Sequence, residues 1–189
     1  MSEKFFLIFD HGTSGMKTAI ISTHGKIKGF NVEEYDLFHF EQGCAEQDPN
    51  DWWNAIVKTT QTLLSQELVP VEDIIAICSS NQLDGTIPVD KEGNSLYNCM
   101  TWLDSRGAPY IQKLCGGHIS GYKLFPLLKF IRSTGAAPGL SGKDILGHIL
   151  WLKENHYEIY EKTWKFMDCK DYLNYDFMSR KTAPQDTGN

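Results

Sequence analysis

Residues 5–21 read Phe-Phe-Leu-Ile-Phe-Asp-His-Gly-Thr-Ser-Gly-Met-Lys-Thr-Ala-Ile-Ile. An apolar run of β-forming residues ends at Asp10, a turn of small residues follows, and a second β-forming run begins near Lys17. This pattern predicts a β-hairpin. Its turn holds Gly12, Thr13, Ser14 and Gly15. We expect the two glycines to permit positive φ angles and to let backbone N–H groups approach a ligand closely.

The turn of this hairpin has the chemistry of a phosphate site. Backbone amides, the hydroxyls of Thr13 and Ser14 and the ammonium group of Lys17 can all donate hydrogen bonds to an anion. Asp10, at the tip of the first strand, suits a magnesium ion that is bound to the phosphate. On these residues alone, an ordinary Gly/Ser hairpin turn remains the alternative.

The pattern Asp-x-Gly-Thr-Ser-x-x-Lys at residues 10–17 resembles the first phosphate motif of the FGGY carbohydrate kinases. This family belongs to the sugar kinase/actin/heat-shock-protein ATPase superfamily. The resemblance implies an α/β domain with the ribonuclease-H-like (actin-like ATPase) fold. Its mixed sheet would start with three antiparallel strands and carry helices on both faces. The resemblance also implies ATP and Mg²⁺ as cofactors, with the metal at Asp10 and the nucleotide phosphates at Gly12, Thr13, Ser14, Gly15 and Lys17.

A second motif, Gln82-Leu83-Asp84-Gly85, follows the apolar run 74–80, which predicts a buried, parallel strand. Ligands gather beyond the carboxyl ends of such strands. A carboxylate and an amide together can hydrogen-bond the vicinal hydroxyls of a sugar or polyol, although a plain Asp-Gly turn is the alternative. FGGY xylulose kinases carry Gly-Gln-Met-His-Gly here and glycerol kinases Asn-Gln-Arg-Glu, so Leu83-Asp84 matches neither. The resemblance assigns Gln82, Leu83 and Asp84 to the substrate.

A third motif, residues 102–106, resembles the family pattern Trp-x-Asp-x-Arg. In the family the tryptophan and aspartate line the sugar pocket and the arginine helps to order that wall, which assigns Trp102, Asp104 and Arg106 to the substrate side. The alternative is a buried tryptophan beside a helix-capping aspartate and a surface arginine. Residues 46–53 and 168–173 also resemble family segments. His11 is set aside as incidental, because the family varies at that place.

The rest of the chain predicts the following elements. They are a third strand at 27–35, an irregular connection at 36–47, a helix from Asp48 to Leu64 with Trp52 and Trp53 in the core, a hairpin at 86–101, a helix from Asp104 to Leu114, short helices and loops at 121–142, helices at 143–154, 156–161 and 170–178, and a strand at 164–167.

Composition restricts the class of protein. The chain has 189 residues and a net charge of -6, which argues against nucleic acid or an anionic membrane as its main partner. No stretch approaches the roughly 20 continuous apolar residues that a membrane-spanning helix needs. We therefore expect a cytoplasmic protein with reduced thiols, because its cysteines are odd in number and widely spread. They are Cys44, Cys78, Cys99, Cys115 and Cys169.

The resemblance covers essentially the whole chain and implies ATP-dependent phosphorylation of a sugar or polyol, with a ketopentose such as xylulose favoured. In the family, the catalytic base and the adenosine pocket lie in a second domain, and residues 182–189 resemble a family stretch cut in mid-pattern. We expect residues 1–189 to be a truncated N-terminal domain that is inactive alone. A stand-alone, non-catalytic sugar-binding module and, more remotely, an actin-like ATPase are the alternatives. A homodimer of the full-length enzyme is left open.

Overall fold

The computed structural model of the chain describes residues 2–117, 121–137 and 139–179. The proposed family stretch at 182–189 lies outside these residues. The elements follow the chain in this order: β1 Phe5–His11, β2 Gly15–Ser22, β3 Ile27–Glu34, β4 Glu46–Gln47, α1 Pro49–Leu64, β5 Ile74–Asn81, β6 Ile87–Val89, β7 Cys99–Met100, α2 Ala108–Cys115, α3 Leu124–Thr134, α4 Ile145–Asn155, α5 Tyr157–Lys162, β8 Lys165–Met167 and α6 Cys169–Ser179.

Four strands form the main sheet, in the order β3-β2-β1-β5. β1 and β2 pair antiparallel from Phe5↔Ser22 to His11↔Met16, and β2 pairs antiparallel with β3. β5 runs parallel to β1, with His11 opposite Asn81 at the carboxyl ends of the two strands. The predictions of an opening antiparallel hairpin, a third antiparallel strand and a parallel strand after the first helix are confirmed.

The core lies between one face of this sheet and two helices. Alternate residues of β1 (Phe5, Leu7 and Phe9) point to this face and are buried. α1 begins where the sequence predicts, because the carboxylate of Asp48 accepts a hydrogen bond from the Asn50 backbone at 2.9 Å. The core side chains of the two helices are Trp52, Ile56 and Leu63 on α1 and Tyr172 and Leu173 on α6.

The opposite face of the sheet is exposed along much of its width. The prediction that β5 is buried is wrong: Ile75 and Ile77 on this strand are 55% and 57% exposed. Ile77 pairs with Leu7 and therefore points to the core face, where the two helices leave it exposed, and Ala76 and Cys78 on the opposite face are exposed as well. Ile27, Phe30 and Val32 on β3 are also exposed. The resemblance implies helices on both faces of the sheet. Within residues 2–117, 121–137 and 139–179, the helices that complete the core are α1 and α6, and both cover the same face.

The predicted hairpin at 86–101 forms differently. β6 pairs antiparallel with β8, from Ile87↔Met167 to Val89↔Lys165, whereas β7 pairs with β4. Only isolated bridges connect the two predicted hairpin arms. All three residues of β6 are buried, and β8 supplies the ladder of hydrogen bonds that a buried strand requires.

The predicted helix after Trp102 begins four residues later than Asp104. Both carboxylate oxygens of Asp104 already accept hydrogen bonds, from the backbone amides of Ala45 and Arg106 at 3.0 Å. The carboxylate of Asp104 thus binds Ala45 and Arg106 and does not cap α2, which begins at Ala108 after Gly107. No helix among the described residues is long and apolar enough to span a membrane.

We predict that Gly85→Ala destabilises the chain. An added methyl group would meet Sγ of Cys169 and would lie 3.1 Å from Sγ of Cys99, and both cysteines are fully buried. Overpacking of this kind costs about 1–3 kcal/mol in the free energy of unfolding. Urea unfolding followed by tryptophan fluorescence measures this difference.

The control for this prediction is the double variant Gly85→Ala/Cys169→Ala, which removes the sulfur atom that the new methyl group meets. The double variant should unfold at a higher urea concentration than the sum of the two single changes predicts. Strict additivity, or a Gly85→Ala midpoint equal to that of the unchanged chain, would contradict the contact.

Candidate functional site

The first and second motifs meet in one cleft of about 480 Å³. β1 and β5 are parallel neighbours, so the segments that follow them leave the sheet at the same edge. The Gln82 backbone amide donates to the carbonyl of His11 at 2.8 Å, which joins the two segments directly. The lining residues are Asp10, His11, Gly12, Thr13, Asn81, Gln82, Leu83, Asp84 and Trp102.

The phosphate turn, residues 12–15, is closed by a hydrogen bond from the Gly12 amide to the Gly15 carbonyl at 3.1 Å. The expectation that its glycines adopt positive φ angles is wrong, because neither Gly12 nor Gly15 does so. Gly15 is needed for a different reason: a Cβ there would lie 2.7 Å from the carbonyl oxygen of Glu33 on β3. The hydroxyl of Tyr35 donates to the Gly12 carbonyl, and burial raises the pKa of this tyrosine.

Asp10 and Lys17 lie side by side where the hairpin opens. They are cross-strand partners, and Nζ of Lys17 lies 3.1 Å from Oδ2 of Asp10. Both side chains are about half exposed, so the pair contributes little to folding and can rearrange around a ligand. A single accessible carboxylate beside phosphate donors fits Mg²⁺, which takes one or two protein carboxylates and otherwise keeps water and phosphate oxygens.

The sugar-side segments meet the phosphate turn through Trp102. Its indole Nε1 donates to the hydroxyl of Thr13 at 2.9 Å, and the ring remains 44% exposed. Leu83 is 72% exposed at the rim. Asp84 adopts a left-handed backbone with φ +58°, a conformation that aspartate tolerates better than most residues. The cleft therefore presents an aromatic edge and a carboxylate beside the phosphate turn.

Asp104 and Arg106 do not line this cleft. Asp104 is fully buried, and Nη2 of Arg106 donates to its Oδ2 at 2.7 Å and also to Glu46, which is buried too. The guanidinium group lies 3.9 Å from the centre of the Trp151 ring. Burial opposes the charge of Arg106, but hydrogen bonds to Asp104 and Glu46 outweigh that effect and raise its pKa.

This buried ion network supports the wall behind Trp102. Cys44, Glu46 and Asp104 lie close enough together to suggest a metal site, but Arg106 already supplies the cation that the two carboxylates need. Tyr97 donates to the same Oε1 of Glu46 that Arg106 contacts, at 2.9 Å, and Asn98 donates to the other oxygen, Oε2, at 3.0 Å. Paired and hydrogen-bonded in this way, the buried charges hold the 102–106 segment in one position.

Three polar residues of the site were not predicted. His11 is 1% exposed and packs on the Trp52 ring, and burial lowers its pKa to about 4, so the ring is neutral. The signal for its position was the period-2 alternation of β1, which points residue 11 to the same face as the core phenylalanines. Gln47 is fully buried, and Asn81 lines the cleft. β4 has two residues, too few for any pattern to reveal Gln47.

The chain resembles known proteins in sequence. Residues 5–185 match the FGGY family of carbohydrate kinases, N-terminal domain. The chain is 28% identical over 175 residues to the xylulose kinase of Bacillus subtilis (strain 168), covering 91% of this chain and 32% of that protein. It is 27% identical over 183 residues to the glycerol kinase of Thermococcus gammatolerans, covering 91% of this chain and 36% of that protein. The chain thus spans about a third of the length of these relatives.

Solved structures resemble the chain as well. A crystal structure titled as a xyloylose kinase from Brucella ovis superposes with a TM-score of 0.78 at 26% identity, covering 90% of this chain and 34% of that one. The glycerol kinase of Plasmodium falciparum, solved with ADP, superposes with a TM-score of 0.78 at 20% identity. The match covers 94% of this chain and 35% of the kinase chain. The expected actin-like ATPase fold is confirmed. The chain belongs to the FGGY family of carbohydrate kinases and matches its N-terminal domain.

Proposed function

We propose that this chain is the substrate-binding N-terminal part of an ATP-dependent kinase that phosphorylates a hydroxyl group of a sugar or polyol, with a ketopentose such as xylulose favoured. One observation carries the proposal: Gly12 and Thr13 of the phosphate turn line the same cleft as the sugar-side residues, and Trp102 hydrogen-bonds Thr13 there at 2.9 Å. A phosphate held at the turn and a hydroxyl held beside Trp102 would be neighbours.

The sugar side of the cleft is rich in hydrogen-bond acceptors. The carboxylate of Asp84 and the side-chain oxygens of Asn81 and Gln82 can accept from hydroxyl groups. Oδ1 of Asn81 and Oε1 of Gln82 are buried and have no hydrogen-bond partner among the described residues. The partly exposed ring of Trp102 suits the C–H surface of a sugar. A polyhydroxylated ligand supplies both kinds of contact.

The phosphate turn fits the nucleotide, although Ser14 and Lys17 line a second cleft of about 850 Å³, which shares Gly12 and Thr13 with the first. We assign Gly12, Thr13, Ser14, Gly15 and Lys17 to the phosphates of ATP and Asp10 to Mg²⁺. Bound there, the ion would neutralise phosphate charge. The residues of this chain would orient the phosphates through backbone amides, hydroxyls and the Lys17 ammonium group. The relatives named above are kinases by title, and one of them was solved with ADP, which supports this assignment.

We further propose that the catalytic base and the adenosine pocket lie in polypeptide that this chain does not contain. Transfer to a hydroxyl group requires a group that takes its proton. The relatives are about three times as long as the aligned region, which leaves room for a second domain.

The described cysteines are unbridged, which supports a cytoplasmic location. The second candidate is a non-catalytic sugar-binding module, whose sugar-side residues would line the same cleft.

ADP release with magnesium and ATP distinguishes the two candidates. The assay compares this chain with the chain extended through its downstream reading frame, across ketopentoses, glycerol, erythritol and gluconate. We expect turnover from the extended chain alone, and the best substrate then identifies the enzyme. Sugar binding without turnover in either form would support the binding module. Turnover by the 189 residues alone would refute our placement of the base.

We predict that Asp10→Asn lowers kcat of the complete enzyme by roughly 100-fold or more, because the neutral amide would hold the magnesium ion poorly. Raising the magnesium concentration should recover part of the activity. Steady-state kinetics at several magnesium concentrations measure this effect. Glu72→Gln, which removes an exposed negative charge elsewhere, should leave kcat unchanged. Near-normal turnover by Asp10→Asn would reject the metal assignment.

We predict that Asp84→Asn raises KM for the sugar about tenfold or more and alters the KM for ATP little, because a hydrogen bond to a charged group contributes about 1.5–3 kcal/mol. Asparagine is the appropriate replacement, since it also tolerates the left-handed backbone at this position. Glu92→Gln, on the exposed turn after β6, is the matched charge control. An unchanged KM for every accepted sugar would remove Asp84 from the sugar site.

A further inference from the structure

Gln47 joins the phosphate turn to the sugar-side loop. Its side chain is fully buried on β4, where pairing with Cys99 of β7 fixes its direction. Nε2 of Gln47 donates to the carbonyl of Thr13 at 2.6 Å, and Oε1 accepts from Nε2 of Gln82 at 2.8 Å. One side chain therefore contacts both halves of the cleft.

The direction of these hydrogen bonds is determined by chemistry. The Thr13 carbonyl can only accept, so Gln47 must present its amide nitrogen to Thr13 and its oxygen to Gln82. Gln82 must then present its nitrogen to Gln47, because the opposite orientation would place two oxygens against each other. Oε1 of Gln82 is thereby left as an acceptor without a partner among the described residues. Gln47 thus fixes the orientation of the Gln82 amide and leaves its oxygen as a buried acceptor that lacks a partner among the described residues.

The neighbouring residue supports the other sugar-side segment. Successive side chains of a strand point to opposite faces, so Glu46 points away from Gln47 and binds Arg106. Arg106 holds the 102–106 segment that carries Trp102, which in turn donates to Thr13. β4 therefore positions both sugar-side segments while it contacts the phosphate turn.

We propose that Gln47 is a positioning residue that couples the sugar half of the cleft to the phosphate half. It touches neither ligand, and it acts through the Thr13 carbonyl and the Gln82 amide. A hydroxyl group that binds Gln82 stabilises the Gln47 hydrogen bonds that also hold the turn. A phosphate at the turn stabilises the same hydrogen bonds and, with them, the orientation of Gln82. Such coupling is reciprocal by thermodynamic linkage. The sugar part of this proposal rests on the proposed function.

Other contacts also connect the halves: the Gln82 backbone amide donates to the His11 carbonyl, Nε2 of Gln82 lies 3.3 Å from Nε2 of His11, and Trp102 binds Thr13. The last of these needs its own control. The hydrogen bond between Trp102 and Thr13 lies in the open cleft. Because the Trp102 ring is 44% exposed, water competes for this hydrogen bond. The coupling experiments are therefore done in the Trp102→Phe background as well as in the unchanged chain. Gln47→Met removes both amide contacts at nearly constant length. Gln61→Met, on the exposed face of α1, is the matched control.

The first test is made on the unchanged 189-residue chain by NMR. We expect a scalar coupling through the hydrogen bond between the Gln47 amide nitrogen and the Thr13 carbonyl carbon, together with slow exchange of the Gln47 and Gln82 side-chain amide protons. Absence of the coupling with rapid exchange of both amides would overturn the proposal. This result needs no sugar and no variant, so it decides the matter even if Gln47→Met fails to fold.

The second test titrates magnesium pyrophosphate with and without D-xylulose or glycerol and follows the Thr13 amide and the Gln82 side-chain amide. We expect the sugar to tighten pyrophosphate binding about fivefold in the unchanged chain and in Gln61→Met. In Gln47→Met the sugar should leave pyrophosphate binding unchanged. An undiminished effect in Gln47→Met within the Trp102→Phe background would overturn the proposal.

Failure of the proposed function gives a different result. If neither sugar binds the unchanged chain, the sugar assignment is rejected for these residues. The proposal is then judged on pyrophosphate alone, which should shift the Gln82 side-chain amide in the unchanged chain and not in Gln47→Met. An equal shift in both chains, or none in the unchanged chain, refutes the connection through Gln47.

Discussion

The parallel pairing of β1 with β5 is the constraint on which the site depends. Separated by 70 positions in sequence, His11 and Asn81 are opposite partners at the ends of the two strands. The phosphate turn and the sugar-side loop leave the sheet from these adjacent positions, and the amide of Gln82 ties them at the base. A register shift of one residue would turn the core side chains of β1 towards solvent, so the hydrophobic alternation that builds the core also places the two halves of the cleft.

The accessible residues of the cleft and the buried residues that hold them in place are physically separate in this domain. The accessible groups of the cleft, such as Asp10, Asp84 and Trp102, are exposed or half-exposed and few of them are tied down. Behind them, fully buried charges and amides are satisfied by one another, as in the contacts of Arg106 with Asp104 and Glu46. A buried ion pair of this kind adds little to stability, but it excludes alternative positions for the segment that carries it.

Local patterns were sufficient for much of the fold. Alternation over residues 5–21 and the Asp48-Pro49 start of α1 determine structure within a few residues of themselves, and the structure follows both predictions. Long-range pairing was not accessible in this way: the β6–β8 pairing joins segments about 80 residues apart, and the exposure of β5 depends on which strand lies at the edge. Asp104 illustrates the same limit, because its role as a cap was excluded by Ala45, a residue distant in sequence. Within the site, the motif residues of the turn, loop and Trp102 were predicted to lie together, whereas Gln47 could be recognised only once its two partners were in place.

The bare face of the main sheet has a practical consequence for the isolated chain. Phe30 and Val32 are exposed on this face, and β5, at the edge of the described sheet, carries unpaired backbone groups along its outer side. Open strand edges next to apolar surface are templates on which other chains add strands. The isolated chain is therefore expected to self-associate and to lose solubility as its concentration rises. Its preparation calls for dilute solutions or a covering polypeptide fused to it, for reasons unrelated to the chemistry of the cleft.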